Sequence, residues 1–183
     1  MSPRTPRRLG TLLAALIGLL VATLLSGCGA AGRPGSALVV DGHVYTPAEI
    51  VEATAQINEG ILSGASASSA PAEPASEAQI VNLLMISPFV LAEAKGRGLW
   101  GPDNPYNSFM AKIHNPTPAT VAAVQANSAY FSLDDDGKAA LLEDVKAASI
   151  AVDPRYGAVN YTTGFLAMPT PDWIVRTPTA TDK

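Results

Sequence analysis

Few side chains in this sequence are of a type and spacing that could do chemistry. Cys28 is the only cysteine, so neither a disulfide nor a cysteine metal site can form within one chain, and its thiol is the one soft nucleophile present. The two histidines lie far apart in sequence: His43 beside a turn reads as solvated, and His114 before Asn115-Pro116 reads as capping or packing. Ser132, Asp134, Asp136, Gly137 and Glu143 occupy positions 1, 3, 5, 6 and 12 of an EF-hand calcium loop. The first of these should be acidic and is serine, and an acidic first turn on a capped helix accounts for the same residues more simply. Calcium binding at 132–143 stays open on sequence grounds. There is no G-x-S-x-G elbow, no P-loop and no H-E-x-x-H segment. The expectation is therefore no catalytic residue, no metal ligand, no cofactor and no enzyme activity.

What surrounds Cys28 gives its thiol a use. Arg4, Arg7 and Arg8 precede an uncharged run from Leu9 to Leu25, 17 residues long and broken by Gly10, Thr11, Gly18 and Thr23. A spanning helix wants about 20 apolar residues, so the run lies between a signal core and a short anchor. Leu25-Ser26-Gly27-Cys28 resembles the lipobox of bacterial lipoproteins: an apolar residue, two small residues for a peptidase's narrow subsites, then the cysteine to be acylated. The resemblance implies that residues 1–27 are a lipoprotein signal peptide and that Cys28 is the lipid attachment site. The expected location is then the outer face of the cytoplasmic membrane, in the cell envelope. One acyl chain holds only marginally, whereas the two or three expected on such a cysteine, at about 0.8 kcal/mol per buried methylene, anchor stably. The competing reading is a buried structural cysteine at the end of an uncleaved anchor.

Removing Arg4, Arg7 and Arg8 leaves nine basic residues against 16 acidic ones, a net charge of about −7. That argues against nucleic acid or anionic lipid as a partner held by charge. Length fits one domain once the ends are set aside. Residues 28–36 are small, with Arg33 and Pro34, and read as a flexible tether.

The elements that follow are read from local signals. Ala37 to Val40, Asp41-Gly42 and His43 to Tyr45 spell a hairpin. Thr46-Pro47-Ala48-Glu49 combines a capping hydroxyl, proline at the first helical position and the glutamate of a capping box, and Ile50, Ala53, Ile57 and Ile61 continue as a helical stripe. The Ser, Ala, Gly and Pro of 63–75 predict a mobile loop. A second helix is expected from Ser76 to Lys95, with Ile80, Leu83, Leu84, Phe89, Leu91 and Ala92 apolar and a kink or break at Pro88. Punctuation is dense from Leu99 to Pro116, with only Tyr106, Phe109, Met110 and Ile113 hinting at helix. Thr117-Pro118 opens a third clear helix carrying Val121, Val124, Ser128 and Phe131 on one face. The next is expected to be capped by Ser132, to bury Leu141, Leu142, Val145 and Ala148, and to end near Ala148. Ile150 to Val152 reads as a strand, Asp153 to Gly157 as a turn, and Ala158 to Leu166 as a returning strand. Residues 169–183 carry Pro169, Pro171 and Pro178 and little that packs except Trp173 and Ile174, so a disordered tail is expected. The fold class is α+β, predominantly helical: a helical bundle with a small β-sheet formed by the N-terminal hairpin and C-terminal strands.

The run Val39-Val40-Asp41-Gly42-His43-Val44-Tyr45-Thr46-Pro47-Ala48-Glu49-Ile50 resembles the start of the SurA N-terminal chaperone domain, which opens with a strand, an acidic or Asn-Gly turn, a second strand and a capped helix. Glu93-Ala94-Lys95-Gly96 is similar to the end of that family's next helix. Val152-Asp153-Pro154-Arg155-Tyr156-Gly157 looks like the closing motif of actinobacterial lipoproteins of this type. The resemblance covers roughly Ala37 to Gly157 and implies a SurA N-terminal-like domain over 37–168 in which a late strand returns to the first. The wider SurA/PrsA-type family often adds a parvulin prolyl isomerase domain, and its Gly-Gly-rich turn and paired histidines are missing here. What the resemblance implies is a non-catalytic chaperone-like or peptide-binding module for exported proteins, with unfolded or exported polypeptides as partners. Met85, Phe89, Trp100, Phe109 and Met110 are candidates to line such a groove, and plain core packing is the account that residue type favours. The alternative function is an envelope complex subunit or ligand-binding lipoprotein on the same scaffold.

Overall fold

The computed structural model describes residues 35–65 and 73–167. The expected signal segment 1–27, Cys28 and the tail 169–183 lie outside the described residues, as do most of the tether 28–36 and the middle of the loop 63–75.

Asp41 and Gly42 both hold positive φ, 47° and 84°, the pair of left-handed residues that a two-residue type I′ turn needs. They join β1 (Leu38–Val40) to β2 (His43–Tyr45). Strand β3 (Ile150–Val152) pairs antiparallel on the other side of β1, giving the order β2-β1-β3 with Leu38 opposite both Tyr45 and Val152. Asp41 fastens this closure: its N–H donates to the Ser149 carbonyl and its Oδ1 accepts from the Ser149 N–H, both at 2.9 Å. The chain's late return to its beginning thus depends on a turn residue as well as on the ladder.

Each helix starts where its sequence offers a cap. Thr46 and Glu49 close a reciprocal box ahead of α1 (Pro47–Ala65): the Thr46 N–H donates to Glu49 Oε2 at 2.8 Å, and the Glu49 N–H to Thr46 Oγ1 at 3.3 Å. Ser76 and Gln79 do the same for α2 (Glu77–Gly96). Asp103 caps the short α3 (Asn104–Met110), Thr117 caps α4 (Pro118–Ser132) and Asp134 caps α5 (Asp135–Ala147).

Several expectations are corrected. Helix α1 runs on through Ser63 to Ala65, so the loop begins later than at 63, and its far end is fixed because Ala75 is hydrogen-bonded to Asn58. Pro88 does not break α2; it sits on the exposed side, while Ser87 and Val90 beside it are buried and tie both turns to the core. The cap of α5 is Asp134 rather than Ser132, whose hydroxyl instead donates back to the Ala129 carbonyl at 2.7 Å as α4 ends. Buried Leu133 separates the two helices, and a side chain at Gly137 would come within 2.9 Å of its Cδ2. The segment Ala158 to Leu166 is not one returning strand. It folds into its own hairpin, β4 (Ala158–Asn160) and β5 (Phe165–Ala167), turned by Asn160 Oδ1 accepting from the Thr162 N–H and by Gly164 at φ 76°.

The buried face of α4 also differs from the expected one. Ala119, Thr120, Ala123, Ala126 and Ala129 face the core, Val121, Val124 and Ser128 are half-buried, and Phe131 is 77% exposed. Small side chains let α4 lie close along α2, and these two helices share the most extensive contact in the fold. Among the described residues α2 is also the one helix long and apolar enough to cross a membrane. Its apolarity has a local cause: Ile80, Val81, Leu84, Met85, Ile86 and Val90 are all buried against its neighbours. The result is an α+β fold, predominantly helical, with α2 at its centre and two small antiparallel sheets beside it.

Candidate functional site: an apolar groove

The closing Asp153-Pro154-Arg155-Tyr156-Gly157 segment builds scaffold rather than a site. Asp153 donates its N–H to the Ala37 carbonyl at 2.9 Å and accepts the Arg155 N–H at 3.0 Å, and Tyr156 is buried with the Arg155 guanidinium 4.7 Å from its ring. Gly157, at φ 124°, lets β4 pass so near β5 that an added Cβ would fall 2.6 Å from the Ala167 carbonyl oxygen. The segment's task is to set the β4–β5 hairpin against α2, where the Leu166 N–H donates to Asn82 Oδ1 at 2.8 Å.

With β5 held there, five elements leave an open groove of about 1220 Å³. Its walls are Ile57 and Ile61 from α1, Leu83 from α2, Tyr106 and Phe109 from α3, Val124 and Phe131 from α4, and Phe165 and Leu166 from β5. Each wall has a physical support. Gly60 admits the Phe109 ring, since a Cβ there would lie 2.9 Å from Phe109 Cζ. Trp100 backs α3 edge-on, its ring 6.0 Å from that of Tyr106, while its indole N–H donates to the Ser128 hydroxyl at 2.9 Å. Tyr130 meets Phe165 edge-to-face at 5.3 Å and Phe131 at 6.0 Å, fixing the rim where α4 and β5 approach. Gln56 anchors the start of α4 to α1, its Oε1 accepting from the Thr117 N–H at 2.9 Å and from the Thr120 hydroxyl at 2.6 Å.

The groove is electrostatically sparse. Among the described residues Glu73 and Asp103 are the only charged ones lining it, both acidic and both exposed. Among the described residues such a surface pairs no nucleophile with a base, and it suits contact with apolar side chains; Gln79, Asn82 and Ser128 already bond within the fold, and Asn127 adds a side-chain amide to the wall.

Of the residues expected to line a groove, Phe109 does. Met85 is fully buried in the core, Phe89 packs half-buried against it, and Trp100 and Met110 are half-buried outside the lining. Leu83, Tyr106, Phe131 and Phe165 were missed, and only the last turn of α4, where Tyr130-Phe131 leaves the alanine face, carries a signal for one of them. The histidines do not converge on the groove. His43 is exposed with its ring 4.5 Å from that of Tyr45, and His114 Nδ1 lies 2.7 Å from Glu59 Oε1 at the surface. The calcium-loop reading fails on geometry: Asp136, Gly137 and Glu143 all belong to α5, Ser132 belongs to α4, and Asp134 is engaged by the Gly137 N–H and by Arg97. No twelve-residue loop exists there, and among the described residues no three His, Cys, Asp or Glu side chains cluster as metal ligands.

Among the described residues the perturbed titrating groups, Tyr45, Glu49, Arg97 and Tyr156, all lie outside the groove lining. The Thr46 N–H, then the Thr46 hydroxyl, hold the Glu49 carboxyl below its ordinary pKa. Burial, then the charge of Glu49, push the Tyr45 phenol up. Comparison of the chain with protein-family models, with curated proteins and with solved structures finds no match.

Proposed function

We propose that this chain is a lipid-anchored, extracytoplasmic lipoprotein of the SurA N-terminal type, whose groove holds apolar stretches of unfolded or exported polypeptides without chemistry. The observation that carries the reading is the open groove of about 1220 Å³ with Phe131 standing 77% exposed at its rim. A single exposed aromatic would mean little, but Phe131 adjoins the apolar wall of Leu83, Val124 and Phe165, and an exposed apolar patch in a concave wall marks a contact site. Burying apolar surface gains roughly 25 cal/mol per Å², and ordering a flexible client takes much of it back, so the expected affinity is modest and tolerant of sequence. That is the behaviour a holding module needs. The lipid on Cys28 would keep the groove at the outer face of the cytoplasmic membrane, where exported chains emerge unfolded.

The test is suppression of aggregation of a chemically unfolded reporter by the mature chain, alongside the groove variant Leu83→Ser/Phe131→Ser. Suppression by the wild type and its loss in the variant are expected, and no suppression at molar excess refutes the reading. Mass spectrometry of the protein taken from membranes tests the anchor, with a diacylglycerol-modified Cys28 at the N-terminus expected. A dedicated partner that co-purifies in fixed ratio would instead place the chain as an envelope complex subunit.

A further inference from the structure

The chain leaves its last strand at the groove wall. Phe165 and Leu166 of β5 line the groove, β5 ends at Ala167, and 16 residues follow, 168–183. In that stretch Trp173-Ile174-Val175 is the only run of large apolar side chains, and Arg176 comes directly after it. Trp173 is the sixth residue past Ala167, so up to roughly 20 Å of extended chain separates them. The groove is only on the order of 10 Å across for its volume, so reach is not limiting. Its volume also exceeds the roughly 300–1,000 Å³ of pockets that enclose a drug-sized ligand, leaving room for three side chains. Charge sets the direction: the run is flanked by Asp172 and Arg176, and because the groove's charged described residues, Glu73 and Asp103, are both acidic, Arg176 is the end that would meet them while Asp172 faces away. A short tether raises the local concentration of such a segment to the millimolar range, which no separate copy of the chain reaches at ordinary protein concentrations.

We propose that Trp173-Ile174-Val175 of this chain docks in its own groove with Arg176 against the acidic rim, so that the free protein covers its site until an apolar ligand displaces the tail. The docking is intramolecular, and it stands or falls independently of whether the groove takes exported polypeptides. Trp100 and Trp173 are the only tryptophans, so Trp100→Phe leaves Trp173 as the sole indole reporter. In the full mature chain its emission is expected to be blue-shifted, and its acrylamide quenching several-fold weaker than in the free peptide 168–183. Phe131→Glu, which changes an exposed rim residue, is expected to restore the free-peptide values. Because Trp100 donates to Ser128, its replacement could unfold the chain. The 19F spectrum of the wild type carrying 5-fluorotryptophan, with Trp173→Phe for assignment, then makes the same comparison. Trp173 as accessible as in the peptide while Phe131 is intact overturns the proposal, and so does protection that survives Phe131→Glu unchanged. Protection that fades on dilution also overturns it, because the occupant would then be the tail of a neighbouring copy.

Discussion

The side-chain amide of Asn58 grips the backbone of Ala75 with both of its groups: Oδ1 accepts from the Ala75 N–H at 2.7 Å and Nδ2 donates to the Ala75 carbonyl at 3.0 Å. One residue of α1 thereby fixes where the chain re-enters the fold, a single position ahead of the Ser76 cap of α2 and on the groove wall. Asn58→Ala leaves both backbone groups of a half-buried residue without their partner. The expected cost is about 1–3 kcal/mol, the range for an unsatisfied buried polar group, with faster amide exchange at Ala75. Urea unfolding and native-state hydrogen exchange measure the two effects.

Gly60 and Phe109 are a second such pair. A methyl at Gly60 would lie 2.9 Å from Phe109 Cζ in the groove wall and 3.2 Å from Cγ1 of the buried Ile113, so both side chains would have to give way. Against that, alanine in a helix interior is favoured over glycine by up to about 1 kcal/mol. Gly60→Ala is expected to destabilise by about 1 kcal/mol because the crowding outweighs the helix propensity. In a Phe109→Ala background the sign is expected to reverse, and a double-mutant cycle by thermal melting checks this.

These pairs also show which parts of the structure the sequence could carry. The Thr46–Glu49 box, the Thr117 cap and the Asp41-Gly42 turn were legible because each is settled within about four residues, by groups that bond one another whatever else the chain does. The face of α4 was not. A hydrophobic pattern selects the large residues Val121, Val124 and Phe131, whereas close approach to α2 selects Ala119, Ala123, Ala126 and Ala129, and only the partner helix reveals that preference. At the start of α5, Ser132 and Asp134 were both able to cap, and the buried Leu133 between them decided the outcome. The groove is a product of five elements meeting, so residue type alone, an adaptable thioether or an aromatic ring, picked Met85 and Phe89, which the core absorbs, and passed over Phe165.

Gly157 gives a prediction with a built-in control. Its φ of 124° and the 2.6 Å approach to the Ala167 carbonyl oxygen are both unavailable to an L side chain without moving backbone. Gly42, at φ 84°, has nothing within 4 Å of an added Cβ. Gly42→Ala is therefore expected to cost only the left-handed conformation, about 1–2 kcal/mol. Gly157→Ala is expected to cost more, above about 3 kcal/mol, because strain and collision add. Melting temperatures of the two variants rank them directly.

Phe131 and Leu84 separate binding from stability. Leu84 is fully buried, so Leu84→Ala is expected to lose about 2–5 kcal/mol through transfer and cavity terms. Phe131 is 77% exposed, and Phe131→Ser is expected to change stability by less than about 0.5 kcal/mol. Loss of affinity for an apolar peptide in Phe131→Ser, at unchanged denaturation midpoint, is the expected result, and fluorescence titration beside urea unfolding reads both.

Acid weakens the fold at its first helix. The folded pKa of Glu49 is lowered from 4.5 because its carboxylate accepts the Thr46 N–H and hydroxyl. A lowered pKa means that the unfolded chain takes up a proton more readily, so this contribution is complete at pH above about 4.5 and is lost as pH falls through the depressed value. The group is exposed, so the effect is expected to stay below about 1 kcal/mol once solvent screening is allowed for. Gln can fill the same hydrogen-bonding place, as Gln79 does beside Ser76. Glu49→Gln is therefore expected to keep the helix while removing the charge. The stability gap between wild type and Glu49→Gln should be constant near neutrality and should close only below pH 4.5. A gap that persists unchanged into acid would mean that the Thr46 hydrogen bonds do not depend on the charge of residue 49.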